Sequence, residues 1–378
     1  MGAMTTVGDG MDLSLLKDPV GITAHNGLDG DQAPSKQTVK ERSMNKITLI
    51  GIDTAKNVFH LVGIDSHGHY VYRKQLSRKR LLPALAQLGP CEVVMEACAV
   101  SHHWARCIGG LGHRTRLIAA QHVKPYRRGQ KNDYRDAEAI IAAALSPGMY
   151  FVGVKSMEQQ AEQALHRVRS RILSQRNATA NELRGLLGEY GLAFGLGIKT
   201  LRSGAIGFID SGQALTLGLS ELVHDVLDEL DQLQQRLDAY SQQIEQRVSN
   251  DVISRRLRTE LSGVGPLSAS ALRVKVADVR DFTNGRNFAA YLGMPPAHRG
   301  TGGKVKMGGM RRGHDLYLRQ LLIHGARSVI RHLGDKQDEQ SRWLRGVLER
   351  RGFNIAAVAL AHRNARQAWA ILAREWAA

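Results

Sequence analysis

The sequence predicts a mixed α/β domain followed by a long helical middle and a mostly helical C-terminal region. Three observations lead there. Apolar runs of strand length come first as a set of three and then alternate with helical segments. A heptad-like stripe occupies the middle of the chain. Beyond residue 255, patterned helical segments frame a basic, glycine-rich stretch.

The elements are taken in order. Residues 1–44 mix Gly, Asp, Pro and Ser without periodicity and read as a disordered leader, and Met44 opens MNKITLIGID as a natural start would. KITLIGI (46–52) is a buried strand. VFHLVGI (58–64) and HYVYRKQ (69–75) follow it, with a turn at 65–68 between them. SRKRLLPALAQL (77–88) is helical, CEVVM (91–95) a strand, 101–110 a helix and RTRLI (114–118) a strand. An Ala/Ile-rich helix then spans 133–145. A three-strand meander continued by alternating helix and strand is the element order of an RNase H-like domain, assigned to 45–155. From 156 to 254 the chain turns Gln/Glu/Arg-rich and helical. Val223, Val226, Leu230, Leu233, Leu237, Tyr240 and Ile244 step by three and four. That seam fits an internal hairpin with residues 156–190, or an intermolecular coiled coil. Residues 255–378 form the last unit.

Composition narrows the partners. The 378 residues carry 52 Lys+Arg against 35 Asp+Glu, a net charge of +17. The leader holds six of the acids and only four of the bases, so the folded body is more basic still. Such a surface suits a polyanion, because each Lys or Arg placed on a phosphate releases counterions. Three cysteines (Cys91, Cys98, Cys107) give no disulfide framework, and their spacing to His102 and His103 matches no familiar zinc pattern. No apolar stretch approaches the roughly 20 residues of a membrane span, and the N-terminus lacks a signal pattern. A cytoplasmic protein is expected.

The acids carry the chemistry. Asp53 follows the first strand in GIDTAK, and Glu96 follows the fourth in VMEAC. In an RNase H-like sheet those strands are parallel neighbours, so both acids emerge at one sheet edge. KNDYRDAEA (131–139) adds Asp133 and Asp136, three apart on one helix face. Four converging carboxylates repel one another unless cations neutralise them, and an all-oxygen set favours Mg²⁺ or Mn²⁺. Two such ions serve phosphoryl transfer by activating an attacking oxygen and stabilising a leaving one. Singly, each acid also has a plain reading: Asp53 as a turn residue, Asp133 as a helix cap, Asp136 as an ion-pair partner of Arg135 or Lys131.

GIDTAK, VMEAC and KNDYRDAEAI, in that order, resemble the Asp-Glu-Asp-Asp transposases of insertion-sequence family one hundred and ten, nearest its eleven-eleven subgroup, with the Piv-type DNA invertases as relatives. The likeness runs from about Met44 to the C-terminus. It implies a RuvC-like catalytic domain with Asp53, Glu96, Asp133 and Asp136 as metal ligands. It also implies a C-terminal transposase domain, donor and target DNA as substrates, and a structured non-coding guide RNA that pairs with both. A homo-oligomer, dimer or tetramer, is expected through the coiled coil.

Between Phe282 and His314 there is no acid, but Arg286, Arg299, Lys304, Lys306, Arg311 and Arg312 are interleaved with glycines. This reads as a basic loop, held between ordered segments, whose amides can approach phosphates. LGMPPAHRGTGGKVKMGGMRRGHD (292–315) resembles the family's C-terminal motif, where the hydroxyl residue before the glycines is implied to attack DNA covalently. The family usually has Ser there. This chain offers only Thr301, which leaves a Thr nucleophile or an element of reduced activity. Gly263 and Gly265 suit either a phosphate-holding helix-hairpin-helix turn or an ordinary helix–helix turn. Arg127, Arg128 and Lys131 precede the DxxD helix, to position a strand at the metals or to offset the acids. The expected activity is metal-dependent DNA strand exchange through a covalent protein–DNA intermediate. The rivals are a nuclease of Holliday-junction-resolvase type, with water as nucleophile, and a non-catalytic nucleic-acid binder.

Overall fold

In the computed structural model the described residues are 47–54, 56–127, 132–212, 218–276, 278–301, 304–310 and 315–376. The leader at 1–44 and the bases Arg128, Lys131, Arg311 and Arg312 lie outside them, as do the side chains of Arg299, Thr301, Lys304 and Lys306.

The N-terminal part is a six-stranded mixed sheet. Its strands are β1 (Leu49–Thr54), β2 (Val58–Ile64), β3 (Tyr70–Ser77), β4 (Glu92–Ala97), β5 (Arg114–Ala119) and the short β6 (Phe151–Val152), in the order β3-β2-β1-β4-β5-β6. β2 runs antiparallel to β1 and to β3, β4 is parallel to β1 and to β5, and β6 is antiparallel to β5. The meander and the parallel pair are those expected from the apolar runs. β1 and β4 run on through Asp53 and Glu96 instead of ending just before them.

Side chains alternate along a strand, so parity decides what each face meets. Ile50, Ile52, Val93 and Met95 share one face, covered by α1 (Leu81–Ala86) and α2 (Ser101–Gly109) through Leu81, Leu85, Trp104 and Ile108. Leu49, Val62, Val94 and Ile118 share the other. After the short α3 (Ala120–Val123), helix α4 (Asp133–Leu145) covers that face with Ala137, Ile140 and Ile141. Gly51 is what lets α4 lie so close. A Cβ there would sit 2.5 Å from the Ala137 carbonyl oxygen and 2.7 Å from Ile141 Cγ1. Asn132 caps α4 by accepting from the Tyr134 N–H at 3.0 Å, so the capping role proposed for Asp133 belongs to its neighbour.

The middle is a helical hairpin. α5 (Met157–Gly188) opens with a Ser156/Gln159 capping box, α6 (Ile198–Asp210) packs near the far end, and α7 (Leu219–Asn250) returns. Arg169 bonds Ser241 and Arg176 bonds Gln234, which fixes an antiparallel register. Val223, Leu230, Leu233, Leu237 and Ile244 are all buried within the chain, Leu233 and Leu237 against Ile172. The predicted seam is thus taken up by the internal partner.

The C-terminal part gathers α8 (Val252–Glu260), α9 (Pro266–Lys275), α10 (Gly285–Tyr291), α11 (Leu316–Arg331), α12 (Glu339–Arg351) and α13 (Phe353–Trp376) around one apolar core. A buried polar relay ties it to the hairpin. Ser270 donates to Glu162 at 2.7 Å, so it accepts from His166 Nε2–H at 2.7 Å, and the other ring nitrogen accepts from Tyr317 at 3.0 Å. Burial and the nearby Lys275 hold His166 neutral, its pKa pushed down to about 4.

The basic glycine-rich stretch differs from the loop expected. β7 (Pro296–Thr301) and β8 (Lys304–Met310) pair antiparallel, with Thr301 opposite Lys304. Gly-Gly between two pairing residues is a hairpin signal as well as a loop signal.

Gly51→Ala should lower the unfolding free energy by about 1–3 kcal/mol in chemical denaturation, because the added methyl group overpacks the β1–α4 contact. Unchanged stability would mean that the two elements part freely.

Candidate functional site

Parity places the functional side chains as it places the core. Asp53 shares a face of β1 with Leu49 and Gly51, and Glu96 shares a face of β4 with Val94, so both point toward α4. Since Ile52 pairs with Met95 in the parallel β1–β4 ladder, the acids that follow them are neighbours. Asp133 and Asp136 occupy the first turn of α4, on the side that carries Ala137 and Ile140 to the sheet. Negative charge at a helix N-terminus is favoured by the aligned peptide dipoles.

The result is a tight cluster. One carboxylate oxygen each from Asp53, Asp133 and Asp136 lies within 4.8 Å of the others, and among the described residues no other group of three or more His, Cys, Asp or Glu side chains is so arranged. Glu96 stands just outside this trio, near enough for its charge to act on Asp53. The Asp53 pKa is raised by burial, then by Asp136, Asp133 and Glu96, with His60 acting the opposite way. The fold therefore holds the carboxylates together against their mutual repulsion.

Two neighbours complete the site. Arg127 donates to Glu96 at 2.8 Å and lies 3.1 Å from Asp136, bridging the strand and helix carboxylates. Of the two readings open to the bases before α4, Arg127 takes the one that offsets the acids. Asp136 finds an ion pair there, and Lys131 lies outside the described residues. His60, missed by sequence reasoning, sits directly across from Asp53 on β2 and is 8% exposed. Its Nδ1 is 3.6 Å from Asp133 and makes no hydrogen bond among the described groups. Only the β1–β2 register could have revealed it. An all-oxygen trio whose mutual repulsion raises the Asp53 pKa fits a divalent cation.

The cysteines do not join in a site. Cys91 contacts His113, Cys98 contacts Thr54, and Cys107 lies 3.8 Å from His103. Thr301 is the last residue of β7. Gly263 has φ +81°, and a Cβ there would meet the Gly325 carbonyl oxygen of α11 at 2.6 Å, so helix packing already demands glycine. Gly265 precedes α9, and nothing lies within 4 Å of the place a Cβ would take there.

Comparison with known proteins agrees with this layout. Residues 50–191 match a family described as transposase, and residues 255–342 match the transposase IS116/IS110/IS902 family. A probable family 20 transposase of Pseudomonas aeruginosa is 46% identical over 87% of this chain and 98% of its own length. The transposase for insertion sequence element IS1111A of Coxiella burnetii is 38% identical over 89% of this chain and 92% of its own. That for element IS1328 of Yersinia enterocolitica is 35% identical over 87% and 97%.

Without metal, Asp53→Asn should melt at a higher temperature than the wild type at neutral pH. The sign follows from the raised Asp53 pKa: its folded-state ionisation is unfavourable, so the gain is present once pH exceeds that pKa and vanishes in acid as the wild-type group protonates. Calorimetry with and without Mg²⁺ checks it. Mg²⁺ at about 100 times its Kd should stabilise the wild type by about 2.7 kcal/mol and the variant far less.

Proposed function

Because the chain belongs to the IS110 family of transposases and is therefore a DNA transposase, we propose that it exchanges strands by a metal-dependent covalent route. The observation that carries this reading is the convergence of Asp53, Asp133 and Asp136, with Glu96 beside them, at the edge of a sheet ordered β3-β2-β1-β4-β5. That order supports an RNase H-like, RuvC-like domain over 45–155. The hairpin of 156–254 and the helical 255–378 are the further units.

Asp53, Asp133 and Asp136 would hold divalent ions, Mg²⁺ or Mn²⁺, with Glu96 as the fourth ligand. Bound there, the ions supply charge neutralisation at the phosphate and a lowered pKa for the attacking oxygen. Arg127 keeps Glu96 and Asp136 aligned until a phosphate draws its guanidinium away. His60 steadies Asp133 from below the site. Thr301 is the nucleophile: its Oγ bonds to phosphorus and its proton passes to water. The strand's own sugar oxygen leaves and is protonated. The resulting phosphothreonine ester conserves the bond energy for rejoining, and attack by a hydroxyl of the new strand releases Thr301. Arg299, Lys304 and Lys306 on the β7–β8 hairpin, with Arg311, Arg312, Arg128 and Lys131, hold phosphates near it, and the Gly265 amide assists.

The family resemblance extends the proposal to a guide RNA that selects donor and target. The basic charge supports a polyanionic partner and says nothing of its kind. A homo-oligomer would place Thr301 of one copy at the carboxylates of another. Since the heptad seam is buried within the chain, its contacts fall on other surfaces. Among the described residues no helix is long and apolar enough to cross a membrane.

Incubation with a DNA end of the element, followed by denaturing electrophoresis, should show a Mg²⁺-dependent protein–DNA adduct. Thr301→Ala and Asp53→Asn should each reduce it at least 100-fold. Cleavage that persists in Thr301→Ala without any adduct would establish the water-based nuclease reading instead.

A further inference from the structure

A groove of roughly 790 Å³ lies on the C-terminal part, away from the carboxylates in sequence and built from α10, α12 and α13. Arg286 enters it from α10, and Arg363 and Arg366 enter it from α13. The latter two are three residues apart and so project from one helix face. No acid lines the groove, and none of these three guanidiniums has an ion-pair partner among the described residues. Elsewhere in this part of the chain Arg256, Arg258, Arg273 and Arg280 are all matched to carboxylates. The groove is thus an acid-free cluster of three guanidiniums. The resulting field is felt by His362 within it, whose pKa is lowered by burial and then by Arg366.

The cluster is also rigid. A Cβ on Gly285 would stand 2.8 Å from the Arg366 carbonyl oxygen, so α10 touches α13 there and fixes Arg286 relative to Arg366. Arg363 rests over the Trp343 ring at 5.2 Å, and the Trp369 indole N–H is held by the Phe282 carbonyl at 3.1 Å. Both aromatics are thereby engaged in orienting the walls. With one ring face covered by a guanidinium, the groove is built to present charge and not to stack bases.

We propose that this groove seats the sugar–phosphate backbone of duplex DNA, with Arg286, Arg363 and Arg366 each on a phosphate. It rests on the strand-exchange reading only for the choice of DNA. Arg286 lies on the helix that leads directly into the hairpin bearing Thr301, so backbone held here is on the path to the reacting strand. The contact is independent of base sequence, because phosphates carry the recognition.

The test is fluorescence anisotropy of the full chain with a labelled 30-base-pair duplex in EDTA across a salt series. Excluding metal separates the outcome from that of the catalytic proposal. The triple variant Arg286→Gln, Arg363→Gln, Arg366→Gln should flatten the dependence of log Kd on log salt by about 2.7, or about 0.9 per lost phosphate contact. A control triple variant at the exposed Arg255, Arg331 and Arg350 removes equal charge elsewhere and should change the slope far less. Arg-to-Lys changes at the three groove positions should restore much of the slope, which a folding defect would not allow. Equal effects from the groove and control triples would overturn the proposal. So would a loss seen only with an RNA duplex of the same sequence.

Discussion

Everything about this protein's site depends on how closely one helix can approach one strand. α4 reaches β1 because position 51 has no side chain, and that contact brings two helix carboxylates against a strand carboxylate. The opposing force is considerable. Two charges 4–5 Å apart repel by roughly 3–4 kcal/mol at an effective dielectric constant near 20, and by less at the exposed Asp133. Ala137, Ile140 and Ile141 are each no more than 2% exposed, and their burial against Leu49, Val62, Val94 and Ile118 offsets that repulsion. Arg127 contributes one compensating charge for four acids. The site is thus an electrostatically strained pocket maintained by an apolar contact, an arrangement that awaits cations.

Much of this was legible from the sequence because the strands obey simple alternation. GIDTAK and VMEAC each place an acid in phase with residues that face a helix, and the DxxD spacing needs only the geometry of one helical turn. What escaped notice depended on pairing. His60 is 7 positions from Asp53 in sequence and becomes its neighbour only through the β1–β2 register. Arg127 was visible as a base near the acids, but its bridge between Glu96 and Asp136 requires the turn after β5 to fold back over the sheet edge. The heptad seam was equally compatible with a partner inside or outside the chain, since periodicity describes a face and not its occupant. The β7–β8 hairpin was concealed because glycines and like charges depress strand character in any local reading.

The relay from Glu162 through the buried Ser270 and His166 to Tyr317 ties the hairpin helix to the C-terminal core by hydrogen bonds. The long hairpin of α5 and α7 separates, along the chain, the carboxylates from the β7–β8 hairpin.

Anomalous diffraction from crystals soaked in Mn²⁺ would test the central claim most directly. The account predicts a manganese peak between Asp53, Asp133 and Asp136, accompanied by a weakening of the Arg127 contacts to Glu96 and Asp136. Manganese absent from that position at full occupancy of the soak, with Arg127 still bridging both acids, would contradict it.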